Sequence, residues 1–115
     1  MRSIVPAAVL AAAFAAPVPA AAQPAADAVP VREWQVPWEN SRPRDPMIDA
    51  RGRVWFVGQA GNYVAYLEPG SGRFRRFEID SGTHPHNVVI DRQGQAWYAG
   101  NRNAMIGRID PETGK

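Results

Sequence analysis

Pro85-His86-Asn87-Val88-Val89-Ile90-Asp91-Arg92-Gln93-Gly94-Gln95-Ala96-Trp97-Tyr98-Ala99-Gly100 is a stretch that this chain states twice. The earlier copy runs Pro43-Arg44-Asp45-Pro46-Met47-Ile48-Asp49-Ala50-Arg51-Gly52-Arg53-Val54-Trp55-Phe56-Val57-Gly58. Asp49 falls on Asp91, Gly52 on Gly94, Trp55 on Trp97 and Gly58 on Gly100, always at an offset of 42 (91 − 49) and without a gap. A constant period of this size marks a repeat architecture.

Within each copy the residue types switch in a fixed order. Met47-Ile48 and Val88-Val89-Ile90 are short apolar runs. An Asp-x-x-Gly turn follows, where glycine supplies a positive φ. Arg53 to Gly58 and Gln95 to Gly100 then form aromatic-rich strands. Tyr63 to Leu67 and Met105 to Ile109 make a third strand. It is closed by Glu68-Pro69-Gly70-Ser71-Gly72 in one copy and by Asp110-Pro111-Glu112-Thr113-Gly114 in the other. Phe74 to Ile79 is a fourth strand, present once, and Glu33-Trp34-Gln35-Val36 has the same character ahead of the first repeat. No segment carries a sustained helical period.

Four short antiparallel strands per unit of about 40 to 45 residues describe a β-propeller blade. The expected fold is all-β, with repeat 1 over about 43–84 and an incomplete repeat 2 over about 85–115. Lys115 corresponds to Arg73, immediately before the fourth strand. The pattern is therefore expected to be part of a longer propeller, or to close a ring by self-association, since stacked repeats generally need about three units.

The chain has 115 residues, a formal charge of +2, eleven prolines, ten glycines and no cysteine. The absence of cysteine excludes disulfides, thiolate metal sites and cysteine nucleophiles. The near-neutral balance gives no argument for nucleic acid. Met1-Arg2-Ser3, the apolar run Ile4 to Phe14 and the small-residue end Ala20-Ala21-Ala22 read as a secretory signal peptide over 1–22. A periplasmic or secreted protein without a membrane anchor is the expectation. Residues 23–31, rich in Ala and Pro, read as a linker, and 32–115 as the partial propeller.

Strand alternation puts the four-to-one and two-to-three loops of each blade on one face. The turns that repeat almost letter for letter lie on the other face and read as scaffold. The irregular loops are where function is expected. They hold His84 and His86, two apart around a proline; extended residues i and i+2 point the same way. Imidazole serves as base, acid or ligand near neutral pH, but a bare His-x-His is more often structural than chemical, and two ligands do not complete a tetrahedral metal site. Arg44 takes the place of His86 in the first repeat. It either clamps a carboxylate or carbonyl or pairs with Asp45 to order the loop. Asn87, Asn101 and Asn103 are candidate donors to a ligand, with turn conformation the competing explanation for asparagine there. Trp55 and Trp97 are expected between blades, and Trp38 faces either solvent or ligand.

The runs Pro85-His86-Asn87-Val88, Asp91-Arg92-Gln93-Gly94 with Trp97, and Ile106-Gly107-Arg108-Ile109-Asp110-Pro111-Glu112-Thr113-Gly114-Lys115 resemble the streptogramin B lyase (virginiamycin B lyase) family. The resemblance covers about residues 33 to 115. It implies a seven-bladed propeller that opens cyclic depsipeptides by magnesium-dependent elimination at an ester, with a histidine at the Pro-His position as base or substrate holder. Only His86 inherits that role by position. His84 stands where the family has an acidic residue two before the histidine, and Arg44 replaces the histidine in the first repeat. The magnesium carboxylates are expected on blades outside this sequence, so that these two repeats alone would be inactive. Two further readings compete. One is an exported propeller that binds a peptide, polymer or partner protein without chemistry. The other is a lactonase-like hydrolase holding calcium, with Asp45 and Asn87 as its thin ligand candidates.

Overall fold

Two Asp-x-x-Gly turns decide where the chain first reverses in each repeat. The Asp49 carboxylate accepts hydrogen bonds at Oδ1 from the backbone N–H of Arg51 (2.9 Å) and Arg53 (3.0 Å). Asp91 does the same for Gln93 and Gln95, both at 2.9 Å. Gly52 and Gly94 then take φ of 74° and 81°, a region that costs a glycine nothing. The second carboxylate oxygen of each aspartate accepts from an indole N–H six residues on, Trp55 at 2.8 Å and Trp97 at 2.7 Å. One aspartate therefore closes the turn and sets the tryptophan on the following strand.

The structure is a computed structural model and describes residues 29–115. The expected signal peptide (1–22) lies outside the described residues, as does most of the expected linker; Val29–Val31, its described end, is exposed and irregular. Residues Arg32–Lys115 form one unit. Its strands are β1 (Pro43–Ile48), β2 (Val54–Gly58), β3 (Tyr63–Glu68), β4 (Arg73–Glu78), β5 (Pro85–Ile90), β6 (Ala96–Gly100) and β7 (Ile106–Ile109). They make two antiparallel meanders, β1-β2-β3-β4 and β5-β6-β7. This is the blade pattern that the period of 42 implies, and no helix occurs among the described residues. Glu33–Val36 departs from the strand-like reading. It pairs with no strand among the described residues; Val36 packs instead, with Trp38, against Phe56, Tyr63 and Ala65.

The first sheet is covered on both faces. Trp55, Val57, Val64, Tyr66 and Phe77 point towards the second sheet and pack against its Val88, Ala96 and Ile109. Phe56, Tyr63 and Ala65 point the other way, under Val36, Trp38 and Phe74. This double burial explains why β2 reads Val-Trp-Phe-Val with no polar alternation. Trp38 is accordingly a packing residue, edge-on to Tyr63 at 5.0 Å and to Phe74 at 5.9 Å between ring centroids. Among the described residues only one face of the second sheet is covered. On the other, Trp97 is 37% exposed and Ile106 is 76% exposed. Trp97 thus occupies the strand position of Trp55 but not its burial.

Close packing dictates glycine at position 58. A Cβ on Gly58 would fall inside the ring of Tyr63, whose hydroxyl is hydrogen-bonded to Ser41.

The Asp49 turn also carries a measurable pH dependence. Burial pushes the Asp49 carboxyl up. The hydrogen bonds from the Trp55 indole, the Arg53 guanidinium and the Arg53 backbone outweigh it and hold the carboxyl below its ordinary value. Its side chain is 4% exposed and that of Arg53 10%, and the two meet at 2.6 Å. A carboxyl depressed in the folded state contributes stability that is fully present above its unfolded pKa of about 4 and is lost as pH falls through the lower folded value. Asp49→Asn is expected to cost about 3 kcal/mol at neutral pH, because it strands a buried guanidinium. It also removes the part of the acid-side decline owed to this group. Urea denaturation of both proteins from neutral pH down to acid checks this; parallel curves would show that Asp49 does not carry the effect.

Candidate functional site

The loop face is built by four segments: the residues before β1, the β2–β3 loop, the β4–β5 loop and the β6–β7 loop. Backbone bonds tie them together in the same way in each sheet. Gln59 N–H donates to the Arg42 carbonyl (3.2 Å) and Asn101 N–H to the His84 carbonyl (3.4 Å). Ala60 N–H donates to Ser41, and Arg102 N–H to Thr83. Left-handed residues recur at the same offset, with Arg42 at φ 47° and His84 at 45°, and Asn62 at 57° and Ala104 at 54°.

Repetition breaks at the start of the inner strands. Both β1 and β5 slip register there, between Arg44 and Met47 and between Pro85 and Val88. Bulges of this kind re-aim side chains. Asp45 takes φ 46°, whereas its counterpart Asn87 does not enter the positive region. The preceding residue of a proline is normally extended, so Asp45 before Pro46 is held in an uncommon conformation. There its Oδ2 lies 3.4 Å from His86 Nδ1 and 3.9 Å from Arg44 Nε. Arg44 also donates from an Nη to Gln59 Oε1 at 3.0 Å. Two inner strands thus bring His86, Asp45 and Arg44 together. His86 and Asp45 are about half exposed, at 48% and 46%.

The two histidines do not act as a side-by-side pair. The φ of His84 breaks the extended geometry on which alternation depends. His84 Nδ1 lies 3.0 Å from the Gln59 carbonyl oxygen, which can only accept, so this nitrogen carries the proton and Nε2 is left uncommitted. The His84 backbone N–H donates to Asn62 Oδ1 at 2.7 Å. His84 lines a cleft with Arg42, Gln59, Ala60, Asn101 and Arg102.

Of the candidate asparagines, Asn103 is committed inside the protein. Its amide donates to Thr83 Oγ1 at 2.9 Å and its Oδ1 accepts from Met105 N–H at 3.3 Å. Asn101 is exposed on the cleft wall, and Asn87 is exposed on the β5 bulge beside His86. Residue types alone did not single out Arg42, Arg102 or Gln59. The usable signal was the repeat itself: at these loop positions the copies differ, Arg42 against His84 and Ala60 against Arg102.

Among the described residues no group of three or more His, Cys, Asp or Glu side chains stands together to hold a metal. Asp45 is engaged with Arg44 and His86. Neither magnesium nor calcium therefore finds a ligand set here, and no chemical step below runs through one.

No family model and no curated protein matches the chain. Solved structures do. A streptogramin B lyase structure superposes with a TM-score of 0.67 at 26% identity, over 73% of this chain. In fold, the chain is similar to streptogramin B lyase. Virginiamycin B lyase from Staphylococcus aureus agrees, with a TM-score of 0.65 and 26% identity over 70% of this chain. A structure of the catalytically inactive S. aureus lyase with quinupristin gives the same values. The chain spans 28% of the length of each of these lyase structures. The two blades are thus of a lyase-like propeller, and His86 and Asp45 stand on the loop face of that lyase-like pair.

Proposed function

We propose that this is part of an exported, streptogramin B lyase-like propeller that opens a cyclic depsipeptide at its ester by elimination, with His86 as the base. The observation that supports the reading most is the cross-strand pair of His86 and Asp45. A carboxylate facing Nδ1 favours the proton on that nitrogen and leaves Nε2 to accept one. In the reaction, Nε2 takes the proton from the carbon next to a carbonyl. The C–H electron pair forms a carbon–carbon double bond, and the C–O bond at the next carbon breaks. The ester leaves as a carboxylate and takes that electron pair with it. The 3.4 Å separation is longer than a good hydrogen bond; such contacts commonly tighten when substrate binds. Export is read from the composition of 1–22.

The mass of the product tests the reaction class. Elimination opens the ring with no change in mass, whereas hydrolysis adds one water. Mass spectrometry of a cyclic depsipeptide incubated with the whole propeller, of which these blades are proposed to be part, is expected to show an isomeric, unsaturated linear product. A product heavier by one water favours the lactonase-like alternative and rules out elimination. An untouched substrate leaves the binding propeller as the reading.

A further inference from the structure

Among the described residues, eight of the eleven arginines are spoken for. Arg44, Arg51, Arg53, Arg73 and Arg76 each have a carboxylate within 4.0 Å. Arg32, Arg75 and Arg108 lie over the rings of Trp34, Phe77 and Trp97. Among the described residues only Arg42, Arg92 and Arg102 have neither partner. Two of these three, Arg42 and Arg102, line one cleft of about 290 Å³ on the loop face, one from the approach to β1 and the other from the β6–β7 loop. His84 lines it too, with Nδ1 occupied by the Gln59 carbonyl and Nε2 uncommitted. The remaining lining is Gln59, Ala60 and Asn101, with no acidic residue.

We infer that this cleft is a carboxylate-binding site, with Arg42 and Arg102 as the cationic clamp, Asn101 as an additional donor and the His84 ring as part of its wall. Two unpaired guanidiniums exposed to one small space repel each other until an anion enters. Guanidinium is also the side chain whose planar fork matches a carboxylate. The volume suits the end of a ligand rather than a whole one. Arg44, the arginine that the repeat alignment favours, is held by Gln59 and Asp45 and does not serve this purpose. The choice of carboxylate over other oxyanions rests on the proposed elimination, which releases that group from an ester on this same face.

The test uses small probes and needs no turnover. N-acetylglycine, its uncharged methyl ester and inorganic phosphate are titrated against the protein, with the arginine Nε–Hε resonances and the His84 ring followed by NMR. Saturable shifts are expected at Arg42, Arg102 and His84 with N-acetylglycine and none with the ester. The double variant Arg42→Gln/Arg102→Gln is expected to weaken binding by about a hundredfold, at about tenfold per charged contact. Arg92→Gln removes the same charge from the opposite face and is expected to leave binding unchanged. Equal loss with Arg92→Gln, shifts with the ester, or phosphate binding as tightly as N-acetylglycine would each overturn the assignment. N-acetylglycine binding together with a whole propeller that opens no depsipeptide upholds the site and removes the elimination reading, so the two failures are separable.

Discussion

In the whole propeller, His86→Ala lowers kcat for opening a cyclic depsipeptide by about 10²- to 10⁴-fold, the contribution a positioned general base makes. The substitution is expected to leave the fold intact, since the His86 side chain is half exposed and its charged contact is the single one to Asp45. KM is expected to change little. Proton abstraction is made only in the transition state, so kcat and kcat/KM should fall together. Asp45→Asn separates positioning from catalysis. It keeps the shape but withdraws the carboxylate facing Nδ1, and it is expected to lower kcat by about tenfold. The ¹⁵N shifts of the His86 ring should then move towards the Nε2–H tautomer, which a merely structural Asp45 would not change. Full turnover by His86→Ala would remove His86 from the mechanism.

The scaffold was legible because it is repeated. A turn that must close and an indole that must be anchored place the same aspartate, glycine and tryptophan in each copy, at the same spacing. The recurrence reaches the backbone: Gly52 and Gly94, Gly72 and Gly114, and Arg42 and His84 take left-handed φ in matched pairs. The inner strands were legible only in their apolar halves, because the bulges at Arg44 and His86 interrupt the pattern that announces a strand.

The site was less legible for a related reason. Loop function depends on which segments meet, and meeting is decided by sheets packed against each other rather than by local spacing. His84 and His86 look paired in sequence, yet a left-handed backbone at His84 turns one ring to Gln59 while the other faces Asp45. Asn103 looks available but braces Thr83 and its own loop. Trp38 looks free after Pro37 but fills the outer side of the first sheet. Arg42 and Arg102 lie 60 positions apart in the chain, and only the fold brings them to one cleft.

Trp55→Ala destabilises the protein by about 3–5 kcal/mol, the range for emptying a large aromatic from a core. Trp55 is fully buried, its ring centroid 4.9 Å from Tyr66 and 5.6 Å from a nearly parallel Phe77, and it packs in the cluster that joins the two sheets. Its loss also leaves Asp49 without the indole donor at 2.8 Å. A domain with a stability of about 5–15 kcal/mol does not absorb this easily. Trp97 supplies a control within the same molecule. It has the same residue type, the same turn before it and the same indole bond to an aspartate, at 2.7 Å. It differs in cover, since Trp97 is 37% exposed where Trp55 is at 0%. Trp97→Ala is therefore expected to cost about 1 kcal/mol, mostly the hydrogen bond and a partial burial. Urea denaturation of the two variants measures the difference directly. Equal costs would mean that something outside residues 29–115 covers the Val89, Trp97 and Ile106 face as the second sheet covers Trp55. A small cost at Trp55 would show that the two sheets do not share the core described here.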